Sequence, residues 1–141
     1  MAILFLLASP WALAGGLSSN DYVRLEVRPV SATMHPGASG AVELLFFPAD
    51  GIHVNVNPPV VFSLDSGTAV ILKGKPVMKT DPNTGYLSAA TPVKQEIMVG
   101  KNAPGGQLTV KGTVAYFFCS DSEGWCNRQR DPVEFTIVVR P

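Results

Sequence analysis

The chain has 141 residues with eleven basic and eleven acidic side chains, so its formal charge is zero. That length suits one domain burying about two-thirds of its unfolded surface, a core sufficient without a metal or several disulfides. With no basic run longer than Arg128-Gln129-Arg130, the charge pattern argues against nucleic acid as a partner, because phosphate binding needs clustered cations.

In chain order, Ile3 to Ala14 is an apolar segment of about a dozen residues, too short for a bilayer span of roughly 20. It ends in Ala12-Leu13-Ala14 before Gly15, a small-x-small pattern of the kind signal peptidase cuts, although no Lys or Arg precedes it. Residues 1–14 are therefore read as an export signal and residues 15–20 as a flexible leader. Residues 21–141 are read as one soluble domain living where disulfides persist. No later segment is long and apolar enough to cross a membrane.

Tyr22 to Arg28 alternates apolar and charged residues, a strand with one wet face. Met34-His35-Pro36-Gly37 reads as a turn, Ala41 to Phe47 as a second strand, and Asp50-Gly51 as another turn. Ile52, Val54 and Val56 alternate with His53 and Asn55, which places the first three on one face of a strand and the last two on the other. Val60–Leu64 and Thr68–Lys73 continue the series. Gly74 to Pro92 lacks periodicity and reads as a long connection, functional or mobile. Val93 to Val99 is strand-like again.

The thirteen glycines and twelve prolines are spread along the chain, and no stretch shows a helical period with caps. About eight short strands at roughly ten-residue spacing predict an all-β, immunoglobulin-like antiparallel sandwich.

Both cysteines fall in Gly112 to Arg130. Val110, Gly112, Val114, Tyr116 and Phe118 alternate with Thr113, Ala115 and Phe117 up to Cys119. Ser120-Asp121-Ser122-Glu123-Gly124 is a cluster of turn formers, Trp125 and Cys126 follow, and Pro132 to Val139 reads as the returning strand. The thiols thus sit near facing strand ends, where Cα atoms roughly 5–6 Å apart allow a disulfide. Closing so small a ring contributes about 2–3 kcal/mol, which a domain of this size hardly requires.

A permanent staple and an exchangeable bond both fit this spacing. Asp121 and Glu123 lie between the cysteines and no helix N-terminus is near, so the pair reads as one attacked by a partner's thiolate rather than as an aggressive nucleophile.

The stretch Tyr116-Phe117-Phe118-Cys119-Ser120-Asp121-Ser122-Glu123-Gly124-Trp125-Cys126, after Leu108-Thr109-Val110, resembles the redox hairpin of the amino-terminal periplasmic domain of the thiol:disulfide interchange protein DsbD. Gly51-Ile52-His53-Val54-Asn55 is similar to that family's Gly-aromatic-His-type strand. The resemblance implies an immunoglobulin-like periplasmic domain with protein thiol–disulfide oxidoreductase activity. It would accept electrons from a thioredoxin-like or membrane-embedded redox protein and pass them to periplasmic thiol proteins.

Carried over, Cys119 and Cys126 are the exchanging pair. Phe118 and Trp125 are expected to shield it, and Tyr86 is the candidate lid from the 74–92 segment. The reading from a different class is a non-catalytic exported sandwich that binds a partner and keeps a permanent bridge. His35, His53, Met34, Met78 and Met98 show no tight ligand spacing, so no metal and no cofactor is expected.

Overall fold

The structure, a computed structural model, describes residues 17–141. The export-signal segment, residues 1–14, lies outside the described residues. Ten strands run in order: β1 (Leu17–Ser19), β2 (Val23–Pro29), β3 (Thr33–Met34), β4 (Ser39–Pro48), β5 (Ile52–Val54), β6 (Val61–Leu64), β7 (Val70–Val77), β8 (Val93–Val99), β9 (Gly106–Ser120) and β10 (Cys126–Val139). One sheet has the order β1-β2-β4-β8-β7. The other has the order β3-β10-β9-β5, with β6 also paired to β9.

The two sheets pack face to face because β2, β4 and β8 of the first and β9 and β10 of the second each supply an apolar row. Val23, Leu25 and Val27, with Val42, Leu44 and Phe46 and with Val93, Ile97 and Val99, form the inner face of the first sheet. Val110, Val114, Tyr116 and Phe118, with Val133, Phe135, Ile137 and Val139, form that of the second. This period-2 burial is the alternation read from the sequence, and it makes the protein an all-β sandwich.

Three sequence readings are corrected. Part of the supposed flexible leader is β1, paired antiparallel with β2 from Leu17↔Glu26 to Ser19↔Arg24. The Met34 turn contains β3, which pairs in parallel with the end of β10. The 74–92 segment is neither aperiodic throughout nor loose. Strand β7 runs on to Val77 past an irregularity in register, and Thr80 bridges Leu87 around an Asp81–Gly85 turn. That small hairpin is pinned to β5 by the Leu87 amide, which donates to the Val54 carbonyl (2.9 Å), while the Leu87 side chain enters the core.

A buried polar group ties one end of the sandwich together. Asp131, only 2 % exposed, accepts from the Tyr116 hydroxyl (2.8 Å) and the Gln129 amide (2.7 Å). Asn20 in turn donates to the Tyr116 oxygen (3.1 Å). Burial, and then the hydrogen bond and negative charge of Asp131, hold the Tyr116 phenol well above its ordinary pKa.

Candidate functional site

The β9–β10 hairpin is in register from Gly106↔Val139 to Cys119↔Cys126. The cysteines are therefore directly opposed at the last rung before the turn. The Ser120 amide donates to the Trp125 carbonyl (2.9 Å), so the rung just beyond is hydrogen-bonded and the cysteine rung is a non-hydrogen-bonded pair. Such rungs bring Cβ atoms closest, and the two sulfurs are joined in a disulfide with Cα atoms 4.0 Å apart. The sequence suggested a wider separation, because it did not reveal that the strands remain paired right up to both cysteines.

Alternation decides what surrounds the bond. Phe118 and Tyr116 point into the core, so Cys119, Phe117 and Ala115 point to the outer face of the sheet, with Cys126, Arg128 and Arg130 opposite them. The two cysteines differ in access. Cys119 is 8 % exposed, whereas Cys126 is open to solvent.

On its other side Cys119 faces β5, with His53 directly opposite and Asn55 next along the same face. The Asn55 amide donates from the backbone to the Phe117 carbonyl (2.8 Å), and its side-chain oxygen lies 3.3 Å from Cys119 Sγ. Because a disulfide sulfur carries no proton, that approach is a contact rather than a hydrogen bond while the bridge is closed.

The surroundings of His53 involve two further elements. Its Nε2 is bonded to the Asp121 carboxylate in the turn between the cysteines. Its ring stacks on that of Tyr86, with centroids 4.6 Å apart and planes 14° from parallel. The hairpin at 79–88 thus brings Tyr86 against the row that contains the disulfide, by way of His53.

Phe118 and Trp125 lie elsewhere. Phe118 is buried in the core, and Trp125 packs edge-on against it (5.8 Å) and against Tyr22 (5.1 Å). Both rings neighbour the cysteines in sequence, yet they pack on the core side of the hairpin, away from the outer face that carries the disulfide. Trp125 instead braces the turn, its indole N–H donating to Glu123 (2.6 Å). The carboxylates of Asp121 and Glu123 are thus engaged by His53 and Trp125.

The sequence did not single out Asn55 as a site residue and weighed His53 only as a metal ligand, although alternation placed the two on one face of their strand. Their meeting with Cys119 depends on the β5–β9 pairing, which joins segments more than sixty positions apart.

The remaining metal-ligand candidates are dispersed. Met34 is buried in the core, and the His35 ring nitrogen Nδ1 lies 2.6 Å from the Arg140 carbonyl oxygen. No cluster of three or more potential ligands occurs among the described residues, and there no helix is long and apolar enough to cross a membrane.

Compared with protein-family models, with curated proteins and with solved structures, the chain finds no match in any of the three.

Proposed function

We propose that this protein is a thiol–disulfide exchange domain of the DsbD amino-terminal kind. It works in the periplasm and cycles the Cys119–Cys126 pair between disulfide and dithiol. One observation carries the reading: the disulfide sits on the outer face of the sheet, at the end of a hairpin, with Cys126 exposed and Cys119 covered. A bridge that served only as a staple gains nothing from an open sulfur. Exchange requires one, because the attacking thiolate must approach along the S–S axis.

In the reductive half-cycle, a thiolate of a protein dithiol attacks Cys126 Sγ. A mixed disulfide forms, the Cys119–Cys126 bond breaks, and its electron pair stays on Cys119. The second thiol of the donor then attacks its own half of the mixed disulfide, leaving as a disulfide and releasing Cys126 as a thiolate. Two electrons and two protons have been transferred. Running the same steps backwards against an oxidised acceptor returns the domain to its starting state. The donor suited to this role is a thioredoxin-like or membrane-embedded dithiol protein, and the acceptors are periplasmic thiol proteins.

The test is capture. In Cys119→Ser the exposed Cys126 has no internal thiol to resolve a mixed disulfide, so a periplasmic extract should yield a covalent adduct that reductant releases. Cys126→Ser, which leaves only the covered sulfur, should yield far less. Absence of any adduct in both variants contradicts the proposal.

A further inference from the structure

Breaking the disulfide leaves charge on the less accessible sulfur. When Cys126 is attacked, Cys119 becomes a thiolate at a position that is 8 % exposed, where water solvates it poorly. A group within reach must therefore stabilise that charge, or opening is slow.

The groups on its face are few. His53 is opposite, with its Nε2 committed to Asp121 and its ring to Tyr86. Arg128 lies across the hairpin from Phe117, two rungs further along on the same face and exposed. Among these groups, the Asn55 side chain is the one with a polar atom in direct contact with the sulfur, at 3.3 Å.

We propose that the Asn55 side-chain amide is a catalytic group for disulfide opening, solvating the sulfur of Cys119 in each of its states. This inference rests on the exchange reading above. A primary amide presents an acceptor and a donor at nearly the same position, exchanged by rotation about its terminal bond. Toward the closed disulfide it rests with its oxygen near Sγ. Toward the thiolate it turns its N–H, replacing the missing water. Once Cys119 has taken a proton from solvent, the S–H donates to the amide oxygen. Asn55 is suited to this work because its own backbone is fixed by the hydrogen bond to Phe117, which leaves only side-chain rotation free.

The test uses the full chain with Asn55→Ala and Asn55→Asp. The second is nearly isosteric and preserves packing, so a defect in it is not a folding defect, and it places an acceptor-only carboxylate against the sulfur. Two measurements are made: the rate at which dithiothreitol opens the disulfide, and the thiolate absorbance titration of Cys119 in a Cys126→Ser background.

A hydrogen bond to a charged group supports an expected tenfold or greater slowing in Asn55→Ala, with a larger slowing in Asn55→Asp. Cys119 should also titrate about one pH unit higher in both variants. Opening rates within twofold of the unsubstituted protein, with an unchanged titration, overturn the assignment. The two readings fail separately. If Asn55 has no such role but exchange is real, Cys119→Ser still captures partner proteins while both Asn55 measurements stay flat. If exchange is wrong, no adduct forms even though opening by dithiothreitol responds to Asn55.

Discussion

The exchange proposed above requires a domain that stays folded with the bridge open as well as closed, and the structure sets the size of the effect. The disulfide joins residues seven positions apart. In the chain-entropy picture a ring of about eight residues contributes about 2.5 kcal/mol at 25 °C. Domains of this size carry roughly 5–15 kcal/mol in total, so the reduced form should keep most of its stability.

The strand geometry supports the same conclusion. The hairpin is held by a continuous register from Cys119↔Cys126 to Gly106↔Val139, and its core rows make no use of sulfur. Reduction should therefore lower the melting temperature by roughly 10 °C while preserving one cooperative transition. The assay is thermal and urea unfolding of the oxidised protein and of the protein held in dithiothreitol, followed by tryptophan fluorescence and by far-ultraviolet circular dichroism. A reduced form that is unfolded in buffer, or a loss above about 5 kcal/mol, refutes the reasoning and makes the bridge a structural necessity.

Other substitutions separate the roles of neighbouring residues. Tyr86→Ala, which removes the ring stacked on His53, should speed opening by small thiols several-fold; an unchanged rate retires Tyr86 as a cover. Trp125→Phe keeps an aromatic ring on the core face and should leave that rate within twofold, and a marked acceleration would show that the indole shields sulfur after all. Gly112→Ala would drive a Cβ into the Ser63 carbonyl oxygen across the β6–β9 pairing, and should cost about 1–3 kcal/mol in urea unfolding.

Tyr116 gives the pH dependence. Its folded pKa is raised, so the unfolded chain releases that proton near pH 10.0 while the folded protein keeps it; this contribution is intact below that value and is lost as pH rises above it. Unfolding curves between pH 8 and pH 11 should show the alkaline decline, and Tyr116→Phe should flatten it while costing about 1–3 kcal/mol at neutral pH through the lost partner of Asp131. An unaltered slope in the variant contradicts the assignment.

What the sequence revealed follows from what alternation encodes. Strands such as Val93–Val99 and the Val110–Phe118 row declare themselves because every second residue meets the opposite sheet. The parity of that row also contained the correct side for the disulfide: Cys119 shares its phase with Phe117 and Ala115, not with Phe118. Proximity in sequence was a poor guide there, and parity was the better one.

The 79–88 hairpin had no such signature. Its position is set by backbone hydrogen bonds such as Leu87 to Val54, which any residue can make. Strand β3 is two residues long and held by a parallel partner at the far end of the chain, too short for any period to appear. The contacts of His53 with Asp121 and of Asn55 with Cys119 join distant segments, and only the order of strands in the second sheet brings them together.

The central claim is that the Cys119–Cys126 bond exchanges in its working compartment, and its reduction potential tests this most directly. Equilibrating the protein with glutathione buffers and measuring the oxidised fraction should give a midpoint less negative than about −300 mV, within reach of physiological thiol partners. A midpoint well below that value, with the bond resisting every glutathione ratio, would make it a permanent bridge and contradict the account.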